Sequence, residues 1–84
     1  MVTLRIESET RWDALALTGK LARYHWFLVE PDSTHWDVYV PLDAEPTDDL
    51  PGDLLHRIAE WLDERDIETA TIHTPAADVV LRRE

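Results

Sequence analysis

Apolar Val2, Leu4 and Ile6 alternate with polar Thr3, Arg5 and Glu7, the period of a strand buried on one face. Ser8 follows as an N-cap, and Glu9 places negative charge in a first helical turn, where the helix dipole favours it. Trp12, Leu15, Ala16, Gly19 and Ala22 share one helical face, which is expected to turn inward. Leu17 and Leu21 fall on the opposite side. The pattern predicts a helix that runs to Arg23 and exposes these two leucines; the alternative is an end near Thr18-Gly19 with glycine as the C-terminal cap.

Residues 24–42, YHWFLVEPDSTHWDVYVPL, read as a β-hairpin. Aromatic and β-branched runs lie on either side of Pro31, Asp32, Ser33 and Thr34. Setting Glu30 opposite His35 places Val29 against Trp36, Phe27 against Val38 and Trp26 against Tyr39. In that register Phe27 and Val29 join Trp36, Val38 and Val40 on the apolar side, while Tyr24, Trp26 and Leu28 take the other face. Residues 43–53, DAEPTDDLPGD, hold five acids and no base. With two prolines and a glycine they form a loop, which ends with Asp49 as a helix cap and Pro51 in a first turn.

The second helix has the clearest pattern. Leu54, Leu55, Ile58, Trp61 and Leu62 form one apolar stripe opposite His56, Arg57, Glu60, Asp63 and Glu64. Asp66 suits a left-handed turn beyond it. Residues 69–73 read as a strand with Ala70 and Ile72 inward, broken by Pro75, and residues 78–83, DVVLRR, as a short further strand at the sheet edge.

Strand, helix, hairpin, helix, strand is the βαββαβ order of a ferredoxin-like α+β sandwich. The expectation is one domain over residues 1–84: an antiparallel sheet in the order 4-1-3-2, two helices on one face, and a short extra C-terminal strand. This order resembles that of small ligand-sensing modules such as ACT domains, a resemblance of topology.

A chain of 84 residues can bury roughly 60% of its unfolded surface, enough for one modest core. Without cysteine it has neither disulfides nor a thiolate metal site. The start, MVTLRIESETR, lacks the apolar run of a signal peptide, so a cytoplasmic protein is expected. Eighteen acids against eight bases give a net charge of −10, a field that repels phosphate backbones and anionic lipid. Neither nucleic acid nor membrane is therefore expected as a partner. Solubility is the simplest use of the charge; attraction of a basic partner is the other.

Candidate chemistry centres on one strand face. His35 and Asp37 share it, and the expected strand order adds Arg5, Glu7, Thr71 and His73. Imidazole beside carboxylate suits metal binding or proton transfer. In that order, though, His73 stands on an edge strand two positions from the strand of His35. His25 is phased toward the core, and His56 lies on the wet side of the second helix before Glu60. Ser8 and Ser33 serve as cap and turn residues, and two glycines cannot build a phosphate cradle. No catalytic residue, metal or cofactor is assigned.

Large aromatics outside a small core mark a surface that meets something. The expected binding face therefore comprises Tyr24, Trp26, Leu28, His35, Asp37, Tyr39, Arg5 and His73. The leading reading is a non-enzymatic interaction module that dimerises, or binds a protein partner or small ligand, through this face. An acidic inhibitor or immunity-type protein blocking a basic partner, such as a nuclease, is the alternative. An enzyme using His35, Asp37 and His73 is third.

Overall fold

The computed structural model describes residues 2–30, 35–43 and 50–83. Their elements run β1 (Val2–Ser8), α1 (Arg11–Lys20), β2 (Phe27–Val29), β3 (Trp36–Leu42), α2 (Gly52–Glu64), β4 (Thr69–His73) and β5 (Asp78–Arg82). The strands form one antiparallel sheet in the order β2-β3-β1-β4-β5, giving an α+β architecture. The C-terminal extra strand is present, and it pairs with β4 from Thr69 opposite Arg82 to His73 opposite Asp78. Thus β4 is an interior strand and β5 the edge. No helix among the described residues is long and apolar enough to cross a membrane.

Alternation in β1 works as expected: Val2, Leu4 and Ile6 are buried, and they meet Leu42, Val40 and Val38 of β3 in register. Ala70 and Ile72 of β4 complete this face. Ala14, Leu17 and Leu21 from the α1 region and Leu54, Ile58, Trp61 and Leu62 from α2 close over it as a single core. In α2 only Leu55 of the expected stripe is less than buried. Asp66 adopts φ 57°, and the turn lets the Ile67 N–H reach back to the Leu62 carbonyl at 2.8 Å.

The first helix departs from expectation in its cap, its end and its face. Thr10 is the N-cap, its hydroxyl accepting from the Asp13 N–H at 3.1 Å, while Ser8 still belongs to β1. The helix stops at Lys20, where the Leu21 N–H closes onto the Leu17 and Thr18 carbonyls, so Gly19 is an ordinary helical residue. Leu17 and Leu21 are buried, and the Trp12 side of the helix faces water, Trp12 being 70% exposed. The sequence from Trp12 to Ala22 is apolar on nearly every side, so period alone does not choose a face. Packing chooses. Trp61 is 1% exposed, and its indole N–H donates to the Asp13 carbonyl at 2.8 Å, so one tryptophan already fills the space beneath the start of α1.

The α2 cap expected at Asp49 and the turn expected at residues 31–34 lie outside the described residues. Pro51 stands at the N-cap position, one residue before the helix rather than inside its first turn.

Trp61→Phe removes the indole donor and leaves a small void, so an unfolding free energy about 1–3 kcal/mol lower is expected, with an unchanged denaturant slope. Trp12→Ala, on the wet side of α1, is expected to change it by no more than about 0.5 kcal/mol. Parallel urea titrations of both variants check the assignment; equal losses would contradict it.

Candidate functional site on the uncovered sheet face

The face turned away from the helices is set by the same ladders. Across it Phe27 lies opposite Tyr39, Tyr39 opposite Arg5, Arg5 opposite His73 and His73 opposite Asp78, one residue from each strand. A second row brings Val29 opposite Asp37 and Asp37 opposite Glu7. The β2 end of the face is apolar, and the β1–β4–β5 part is mostly polar or charged, with Val80 of β5 also exposed on it.

This arrangement corrects the expected hairpin register by one residue. Leu28, rather than Phe27, faces Val38, and Tyr39 pairs with Phe27 rather than Trp26. Leu28 therefore packs against the core, while Phe27 and Val29 turn outward at 60% and 42% exposure. The sequence from Trp26 to Val29 is apolar at every position, so alternation carries no information on its parity. Tyr24 also leaves the expected face: it packs against the core, and its hydroxyl donates to Asp53 Oδ2 at 3.0 Å. Trp26 precedes β2 and is 40% exposed. His25 is exposed, not turned to the core, and His56 pairs with Glu60 at 2.8 Å on the surface of α2.

The polar members do come together. Arg5 Nη1 lies 3.4 Å from Glu7 Oε1 and 3.5 Å from Asp37 Oδ2. His35 Nε2 lies 3.8 Å from Asp37 Oδ1. His73 Nε2 is 3.3 Å from Glu7 Oε1, and its Nδ1 is 2.8 Å from Asp78 Oδ1. Asp37 is the buried centre, 2% exposed. Among the described residues Asp37 Oδ1 and His73 Nε2 are buried polar atoms with no hydrogen-bond partner; His73 Nε2 is within ion-pair reach of Glu7 but not aligned for a hydrogen bond. A buried acceptor left in that condition costs about 1–3 kcal/mol, so its retention asks for a reason.

The two histidines are joined through the facing carboxylates, His73 by way of Glu7 and His35 by way of Asp37. The place of Glu7 was legible, because the alternations of β1 and β3 overlay it on Asp37 once the two strands are paired. Asp78, the partner of His73, depended on the β4–β5 register. The β1–β4 ladder itself consists of two pairs, Arg5 with His73 and Ile6 with Ile72. Beyond them a cleft of about 400 Å³ lies between the strands, lined by Glu7, Ser8, Glu9, His35 and residues 69–71.

Comparison of the chain with protein-family models, with curated proteins and with solved structures returns no match.

The position of Tyr24 generates a test in pH. Hydrogen bonds from Arg57 and then from Tyr24 hold the Asp53 carboxyl below the usual carboxylate value of 3.8, and Arg83 does the same for Asp66. A lowered folded pKa contributes stability that is present above the unfolded value and lost as pH falls through the folded one. Wild-type stability is therefore expected to decline as pH drops below 3.8. Asp53→Asn should be less stable at neutral pH and decline less steeply across that range. Unfolding midpoints measured from neutral pH to pH 2 give both slopes; parallel curves would contradict the pairing.

Proposed function

We propose that this chain is a small, non-catalytic binding module, built as a ferredoxin-like sandwich extended by β5, that pairs with a second copy of itself through the uncovered sheet face. The strand neighbours 4-1-3-2 and the shared core of two helices support the fold. The functional reading is carried by one observation: Phe27 and Val29 are 60% and 42% exposed beside Tyr39, on a face that no element among the described residues covers. An apolar patch of this kind is the usual core of a protein contact.

Charge favours a second copy as the occupant. Among the described strand residues the face carries two bases, Arg5 and Arg82, against three acids, Glu7, Asp37 and Asp78, a net of −1 where the whole chain carries −10. Two copies therefore meet little net repulsion across these residues. A basic partner would instead seek the acidic run 43–53, on which the inhibitor reading rests.

The module is expected to be a dimer by light scattering at micromolar concentration. Phe27→Asp should convert it to a monomer, while an already exposed position shifts intrinsic stability by no more than about 0.5 kcal/mol. Trp12→Asp, on the wet side of α1, should leave the dimer intact. A wild-type monomer overturns the proposal, and a dimer broken only by Trp12→Asp moves the contact to the helix.

A further inference from the structure

Beyond the apolar contact, and on the same face, the geometry points to a divalent transition-metal site formed by Glu7, His35 and Asp37. One donor atom from each residue lies within 4.8 Å of the donors of the other two. Zinc and similar ions hold nitrogen and oxygen donors at roughly 2.0–2.2 Å, which sets neighbouring donors about 3–4 Å apart. Small side-chain adjustments close the remaining gap.

The backbone fixes the set. Glu7 and Asp37 are directly opposite on β1 and β3, so the ladder holds both carboxylates on one side of the sheet. His35 precedes β3 by one residue and brings Nε2 to 3.8 Å from Asp37 Oδ1. Two carboxylates side by side need positive charge, and Arg5 Nη1 supplies part of it, 3.4 Å from Glu7 Oε1 and 3.5 Å from Asp37 Oδ2. The Oδ1 side is the one turned to His35. That oxygen is buried and has no hydrogen-bond partner among the described residues, the condition a cation there would satisfy.

Support for Glu7 comes from the next residues outward. Asp78 holds His73 Nδ1 at 2.8 Å, and His73 Nε2 stands 3.3 Å from Glu7 Oε1, an imidazole beside the ligating carboxylate though not hydrogen-bonded to it. One imidazole and two carboxylates, with no cysteine in the chain, select zinc, ferrous iron or manganese over monovalent copper. Three protein donors leave part of the coordination shell to water, and the cleft beside Glu7 and His35 gives that water room.

Zinc ion alone is the probe. Full-length chain, stripped with chelator, is titrated with Zn²⁺ by calorimetry, and Co²⁺ absorption reports direct coordination. One ion per chain is expected to bind at micromolar concentration or below. His35→Ala and Asp37→Asn should each weaken it by about tenfold or more, and His56→Ala, which removes the separate surface pair on α2, should leave it unchanged. Circular dichroism accompanies each variant, and Glu7→Gln replaces Asp37→Asn if burial of the amide prevents folding. The site is overturned by no saturable binding below millimolar Zn²⁺. It is equally overturned by wild-type affinity in His35→Ala, or by loss on His56→Ala instead.

Discussion

The antiparallel ladder between β1 and β3 decides what every other element meets. Seven consecutive pairs, from Val2 with Leu42 to Ser8 with Trp36, fix both faces of the sheet centre at once. On one side the ladder lays down Val2, Leu4, Ile6, Val38, Val40 and Leu42, an apolar surface that two helices can seal. On the other it aligns Arg5 with Tyr39 and Glu7 with Asp37. A slip of one residue would exchange the two sets, burying charge and exposing the core. The register is thus held by burial as well as by hydrogen bonds, and the polar cluster inherits its precision from the apolar face beneath it.

Where the sequence carried contrast, it could be read. Residues 2–7 alternate strictly, α2 has one apolar stripe, Asp66 sits where a left-handed turn is needed, and residues 78–83 contain a real strand. It failed where apolar residues leave no single face distinguished. Trp26 to Val29 offers no parity, and the hairpin came out one residue away from the expected pairing. Trp12 to Ala22 offers two candidate faces, and the fit of Trp61 against Asp13, a contact between residues 48 positions apart, settles which one turns inward. Contacts of that separation have no local signature. The polar cluster was partly legible because its members lie on or beside well-patterned strands; Leu28 was misplaced because β2 is unpatterned, and Tyr24 because it lies before that strand, in the bend after α1.

The charge of the chain is also distributed less simply than its total suggests. Lys20 reaches Glu64 at 2.8 Å and Glu60 at 3.4 Å, Arg65 reaches Asp13 at 2.8 Å, and Arg57 donates to both Asp53 and the Lys20 carbonyl. These pairs tie α1 and the turn after it to α2, on the side away from the sheet's open face. Individually such exposed pairs contribute little, and salt weakens them further. Their common effect is orientation: they join the helices at several points along their length while Trp61 anchors one end.

The two-pair seam between β1 and β4 has a consequence for how the molecule breathes. On one side of it β2, β3 and β1 are joined by ladders of three and seven pairs, and on the other β4 and β5 share five pairs. The shortest ladder of the sheet is therefore an interior one. Local opening in proteins follows such weak lines, so amide protons of the β4–β5 ribbon should exchange as a block, ahead of those in β1 and β3. A sheet that looks continuous would then behave as a three-stranded slab with a two-stranded flap, hinged beside Glu7 and His73.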